Sequence, residues 1–199
     1  SKYHMGFPGT LTLKPETFEA VLYETAECLM KYGIKRIIFY NGHGGNTVSI
    51  NNVVRKINHE TKAEAVLLNG LKLPPEKDPV KLPELDWHAG ENETSFMLYL
   101  TPGLVDMSKT EKPKLSFPAH VKKYQLKTKD QSKFDDLALA SLFTTANTGK
   151  KGSTREITHN GVITTGHPKN ATAAKGKKQI LPQVKAAVKF INDWKAIKY

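Results

Sequence analysis

The chain of 199 residues contains a single cysteine, which excludes an internal disulfide framework. Cys28 falls within an apolar helical pattern that includes Ala26 and Leu29, and it is predicted to be a small core residue. No hydrophobic run approaches the roughly 20 residues needed to span a bilayer. No signal peptide is visible at Ser1. These absences favour a globular protein without a membrane partner, and a cytoplasmic location is expected.

Acidic residues are also scarce: 19 Asp and Glu stand against 30 Lys and Arg, for a net charge of +11. Such a balance raises the hypothesis of a nucleic-acid-binding domain. The lysines of the second half are scattered, however, with neither an RNP-like aromatic signature nor zinc-finger spacing. This distribution favours a solvated basic face and no nucleic-acid partner.

Helical and extended patterns alternate along the first half of the chain. A helix is predicted from Pro15 to Gly33, followed by a strand at residues 34–40, a helix at 47–59 and a strand at 63–69. This β-α-β order predicts an α/β fold with a mainly parallel sheet and helices on its faces. An irregular connection is expected at residues 71–85, and further helices at 134–147 and 179–199. No internal repeat marks a domain boundary.

A glycine-rich turn, Asn41-Gly42-His43-Gly44-Gly45-Asn46, directly follows the predicted strand at residues 34–40. It places His43 at the carboxyl end of a strand, where open α/β sheets bind ligands. Glycines at 42, 44 and 45 would allow positive φ and the close approach of a ligand or ion. An ordinary turn with a solvated histidine is the alternative.

A second motif, Asp86-Trp87-His88-Ala89-Gly90-Glu91-Asn92-Glu93-Thr94-Ser95, opens an apolar helical run that stops at Pro102. If the helix begins near Gly90 or Glu91, Glu93 lies in its first turn, where the helix dipole stabilises a carboxylate by roughly 0.3–1 kcal/mol. Glu91 and Glu93 could then be first-turn charges and Asp86 a cap. A histidine, a tryptophan and three carboxylates beside Ala-Gly exceed what capping requires, and they predict a functional site.

Three motifs in this order resemble the creatininase (creatinine amidohydrolase) family. They are Phe7-Pro8-Gly9-Thr10, the turn at His43, and His88-Ala89-Gly90 followed by Glu93-Thr94-Ser95. Residues 161–176 resemble the C-terminal signature of the family, although His167 stands where an acid is more usual. The resemblance implies a three-layer α/β/α fold with a mainly parallel sheet. It also implies hydrolysis of a C–N amide bond by water activated on one or two Zn, Mn or Fe ions.

The same resemblance assigns roles in the chemistry. His43 is expected to bind the metal. Glu93 is expected either to bind the metal as well or to orient the water. His88 matches the catalytic histidine of the family and would pass a proton to the leaving nitrogen, a task that suits an imidazole.

Contacts to a small-molecule substrate are expected from Trp87, His4, Gly44 and Gly45. Trp87 could instead be a core aromatic residue that packs inside the fold. His4 could instead support a neighbouring group or serve the structure alone.

Family members carry further metal ligands, a Glu, a His and an Asp, on a strand and loop ahead of the motif at residues 7–10. Creatininase also has a Glu where Gly45 stands here. We therefore expect residues 1–199 to be a single creatininase-like domain that lacks its N-terminal strand and ligand loop. A complementary N-terminal polypeptide would complete it, and a homo-oligomer is expected. The alternatives are a non-catalytic subunit or binding protein on the same scaffold, and hydrolysis of a cyclic polyol or ketone ring.

Overall fold

The computed structural model describes residues 4–68, 79–116 and 154–197. Its contacts divide the chain into two compact units. The first consists of Ser1, Leu11–Leu73 and Lys185–Tyr199, and the second of Lys2–Thr10 and Pro74–Val184. The expectation of one domain over residues 1–199 stays a prediction. Among the described helices, none combines the length and the apolar character that crossing a bilayer requires.

The first unit contains the β-α-β segment and the helix before it. Its elements in chain order are α1 (Pro15–Lys31), β1 (Arg36–Tyr40), α2 (Thr47–Glu60) and β2 (Glu64–Leu68). Pro15 suits the first turn of α1, where no backbone N–H is needed, and Gly33 follows the helix with φ 85. The two strands pair in parallel, from Arg36 with Glu64 to Tyr40 with Leu68. The predicted order of helix, strand, helix and strand is confirmed.

The core of the first unit forms where α1 and α2 pack with these strands. Its buried apolar cluster consists of Ala26, Ile37, Val53, Ile57, Ala63 and Ala65. Val53 and Ile57 share one face of α2 because they are four residues apart. The Asn58 side chain adds a polar tie, since it accepts the Ala65 N–H at 2.6 Å and donates to the Ala65 carbonyl at 2.9 Å. Helix α2 is thereby fastened to β2.

The second unit contains two short strands and a helix that follows the first of them. They are β3 (Asp86–His88), α3 (Glu91–Leu100) and β4 (Ile163–Thr164). The strands pair antiparallel, with an irregular register between Asp86 and His88. Beyond the strands, the Thr165 N–H donates to the Leu85 carbonyl at 2.9 Å. Leu85 and Ile163 are almost completely buried, so this strand pair forms part of the interior of the unit.

The last helix, α4, spans Ala173–Ala196, so the predicted start at residue 179 is wrong. The residues before 179 are lysine-rich and lack apolar periodicity, but in the structure Gly176 packs directly on the Ser95 backbone of α3. At the other end, Arg36 donates to the carbonyls of Trp194 at 2.7 Å and Ile197 at 2.6 Å. These bonds satisfy carbonyl groups that a helix C-terminus leaves unpaired.

One core prediction is wrong, and another prediction is not tested by the described residues. Cys28 is exposed. It lies two residues after the buried Ala26, which turns it by about 200° around α1 and away from the core. The helix predicted at residues 134–147 lies outside the described residues.

Candidate active site

His88 ends β3, and the chain turns at Ala89 before α3 begins. Ala89 has φ 48 and is the one left-handed residue other than glycine in the described part of the chain. This conformation costs roughly 1–3 kcal/mol and must be held by its surroundings. Glu93 Oε2 accepts the Ala89 N–H at 2.8 Å, and the Thr94 hydroxyl donates to the Ala89 carbonyl at 3.3 Å. Glu93 and Thr94 therefore hold the peptide that follows His88.

Asp86 caps the helix that follows this turn. Its Oδ1 accepts the Glu91 N–H at 3.1 Å, and its Oδ2 accepts the Asn92 N–H at 2.7 Å. Two amides that a helix N-terminus leaves unpaired are thereby satisfied. Gly90 provides the space, because a Cβ there would overlap the Asp86 carboxylate and lie 2.7 Å from its Cγ. The structure therefore shows Asp86 in the capping role considered for it from the sequence.

Glu91 and Ser95 face α4 rather than open space. Glu91 is only 5% exposed, and its Oε1 accepts a hydrogen bond from Lys175 Nζ at 2.6 Å, which compensates a buried charge. The Ser95 hydroxyl donates to the Glu91 carbonyl at 2.6 Å and accepts the Thr172 N–H at 3.1 Å. These residues therefore fix the start of α3 against α4.

His4 lies against His88. The centroids of the two rings are 5.3 Å apart, and the ring planes stand at 81°. His4 Nδ1 is 2.9 Å from Thr154 Oγ1. Trp87 is half-buried at the irregular point of β3. Of the predicted site residues, His4 and His88 are thus in contact.

His43 follows β1 and leads into the short 3-10 turn Gly44–Asn46 ahead of α2. Its N–H donates to Asn41 Oδ1 at 3.1 Å. Gly42, Gly44 and Gly45 do not use the positive φ that glycine allows. A 3-10 turn such as Gly44–Asn46 uses negative φ values. A Cβ at Gly42 or Gly44 would meet no described atom within 4 Å. The described residues therefore leave the turn uncovered on the side of Gly42 and Gly44.

The described residues do not fit a complete metal centre. Within residues 4–68, 79–116 and 154–197, no three His, Cys, Asp or Glu side chains are grouped to hold a metal ion. Protein metal sites of the catalytic zinc type use three protein ligands. The predicted ligand roles of His43 and Glu93 stay predictions.

Several structural roles at this site were not predicted from the sequence. Thr94 belongs to the second motif, so its position was visible but its bond to Ala89 was not. Lys175 and Thr154 gave no local signal, because their partners are distant along the chain. His167 Nδ1 accepts the Lys169 N–H at 3.2 Å at the start of the 3-10 turn Pro168–Asn170. The ring of His167 thus supplies the capping bond that an acid could make there.

The Creatininase family model, described as creatinine amidohydrolase, matches residues 1–191. The mycofactocin precursor peptide peptidase of Mycolicibacterium smegmatis is 32% identical over 99 residues, which cover 50% of this chain and 35% of that protein. The protein of the same name from Mycobacterium tuberculosis is 25% identical over 191 residues, covering 96% of this chain and 61% of that protein. The chain therefore spans less than two thirds of the length of these curated relatives.

Solved structures show the fold. A Bacteroides fragilis protein assigned to the creatinine amidohydrolases is 21% identical, with a TM-score of 0.70 over 96% of this chain and 66% of that one. Other similar structures include Zn-Zn and Mn forms of creatininase. The predicted α/β fold of the creatininase type is confirmed.

Proposed function

This chain belongs to the creatininase family, and we propose that it is a hydrolase that cleaves a C–N amide bond. Its relatives support this proposal, since one is named a precursor peptide peptidase and the family is described as creatinine amidohydrolase. Cleavage of a peptide and of creatinine both break an amide C–N bond. The substrate class that we propose is a peptide or a cyclic amide.

The observation that carries the proposal is the strained turn at Ala89. Left-handed residues other than glycine cluster at functional sites, where the strain positions a reacting group. Asp86 and Glu93 hold the turn from both sides, because they accept the N–H groups of Glu91, Asn92 and Ala89. The turn sets the direction in which the chain leaves His88. We therefore assign the chemistry to His88.

His88 is proposed to pass a proton to the leaving nitrogen of the amide. A general acid of this kind contributes about 10²–10⁴-fold to a rate, and an imidazole changes its protonation near neutral pH. Glu93 contributes by holding the Ala89 N–H, which keeps the turn after His88 in place. This role adds to the one predicted for Glu93 at the metal.

A substrate contact is proposed at Trp87, and a ligand contact is proposed separately at the turn of His43. The half-buried indole of Trp87 adjoins His88 in sequence and offers a flat surface for a planar amide. A Cβ at Gly42 or Gly44 would meet no described atom within 4 Å, which supports the close approach of a ligand to the backbone.

A divalent metal is proposed only at the level of the family, because similar creatininase structures are Zn and Mn forms. The described residues of this chain do not assemble three donors. No step is therefore assigned to a metal here. A cytoplasmic location, a homo-oligomer and a complementary N-terminal polypeptide stay predictions.

The test compares two histidine variants of the full chain. Hydrolysis of creatinine and of a short peptide is measured with Mn²⁺ or Zn²⁺ added. We expect turnover of at least one substrate, and a fall in kcat of about 100-fold or more in His88→Gln. His59→Gln is the control, because His59 is exposed on α2 and should leave kcat within about twofold. No turnover of either substrate, or full activity of His88→Gln, would contradict the proposal.

A non-catalytic binding protein on the same scaffold is the second candidate. It is favoured by the absence of a three-donor group among the described residues. In that case creatinine or the peptide would bind, as measured by calorimetry, but neither would be hydrolysed. Binding without turnover at every metal concentration would therefore replace the first proposal with this one.

A further inference from the structure

His4 is anchored at both its main chain and its side chain. Its carbonyl accepts the Phe7 N–H at 3.1 Å and the Thr10 hydroxyl at 3.1 Å, so the motif at residues 7–10 turns back onto it. Its ring nitrogen Nδ1 lies 2.9 Å from Thr154 Oγ1. The two carbonyl contacts fix the main chain of His4, and the contact with Thr154 restrains rotation of its imidazole.

Thr154 is a rigid partner for that ring. Only 3% of Thr154 is exposed. Its carbonyl accepts the N–H groups of Ile157 and Thr158, each at 3.0 Å, in the turn that begins with the 3-10 segment Thr154–Glu156. Both of those residues are buried as well. The hydroxyl of Thr154 is therefore held in place by the interior of the second unit.

The anchored ring of His4 in turn limits the ring of His88. An edge-to-face pair is a preferred aromatic geometry, and here the centroids are 5.3 Å apart with the planes at 81°. Rotation of the His88 side chain would break this contact. The fixed Ala89 peptide defines the backbone next to His88, and His4 defines the space beside its ring.

We propose that Thr154 and His4 form a positioning pair that holds the His88 imidazole in one orientation for proton transfer. The proposal rests on the proposed role of His88. Thr154 and His4 themselves need not touch the substrate. The Thr154 hydroxyl orients the His4 ring, and the His4 ring restricts the His88 ring.

Two variants of Thr154 separate the hydroxyl from the packing. Thr154→Val removes the hydroxyl and keeps the shape, whereas Thr154→Ser keeps the hydroxyl. We expect Thr154→Val to lower kcat by about 10- to 100-fold, the scale on which small misplacement of a reacting group acts. KM should change by less than about threefold, and Thr154→Ser should retain most of the activity. Equal activity in Thr154→Val and the parent protein would overturn the proposal.

The NMR signals of the His4 and His88 rings provide a readout that does not depend on turnover. In histidine-labelled protein, these signals are assigned by their loss in His4→Gln and His88→Gln. We expect both sets of signals to move in Thr154→Val, and the His88 signals to move in His4→Gln. Unchanged His88 signals in both variants would refute the positioning pair even if His88→Gln is inactive. Conversely, an active His88→Gln would refute the role of His88 while the signals still report the contact. Thermal unfolding confirms that each variant is folded.

Discussion

The glycines beside α3 and the glycines of the turn at His43 are under different constraints. At Gly176 a Cβ would overlap the Ser95 carbonyl oxygen and lie 2.5 Å from the carbonyl carbon, and at Gly90 it would overlap the carboxylate that caps the helix. At Gly42 and Gly44 a Cβ would meet no described atom within 4 Å. Neither Gly42 nor Gly44 has a left-handed φ.

This difference separates two uses of glycine. Beside α3, a missing Cβ lets helices and a carboxylate approach within the fold, so glycine serves internal packing. At Gly42 and Gly44, neither backbone conformation nor a described neighbour requires glycine. No described residue fills the space beside Gly42 and Gly44, which is why we propose that this turn contacts a ligand.

The largest effect is expected for Gly176→Ala. The new methyl group would meet the Ser95 backbone, which cannot rotate away, so the helices must separate. We expect a loss of about 3 kcal/mol in the free energy of unfolding, measured with urea. Lys177→Ala, at an exposed neighbouring position on α4, should change it by less than about 0.5 kcal/mol. Equal stability of the two variants would show that α3 and α4 do not approach as closely as described.

Gly90→Ala should have the next largest effect, about 2 kcal/mol, because the methyl group displaces the Asp86 carboxylate from the helix N-terminus. Asp86→Ala alone should cost about 1–2 kcal/mol through loss of the cap. The double variant tests the mechanism. Without the carboxylate most of the clash disappears, so the double variant should lose less stability than the sum of the two single losses. Strict additivity would mean that the clash with Asp86 is not the cause.

The smallest effect on stability is expected for Gly44→Ala, below about 0.5 kcal/mol, because its methyl group would meet no described atom within 4 Å. If the turn contacts the substrate, KM should rise on the order of tenfold. Urea unfolding and steady-state kinetics on the same preparation measure both quantities. A loss of stability similar to that of Gly90→Ala would contradict the comparison, and an unchanged KM would remove Gly44 from the proposed substrate contacts.

Much of the local structure was predictable because it depends on residues near each other in sequence. The periodicity around Val53 and Ile57 predicted α2, and the apolar run that follows Ser95 predicted α3, with a start considered near Gly90 or Glu91. The left-handed Ala89 was not predictable, because propensity disfavours that conformation in alanine. Only the structure shows the hydrogen bonds of Glu93 and Thr94 to the Ala89 backbone, which stabilise this conformation.

By itself, the sequence determined the family, the β-α-β order, the position of His43 in a strand-to-helix turn and that of His88 just ahead of a helix. Hydrophobic period and turn residues carry this information, because they act within a few residues. Only the tertiary structure decided that His4 meets His88, that Thr154 holds His4, and which glycines are crowded. Those relations join positions as far as 150 residues apart. They follow from the packing of the chain, which no local pattern records.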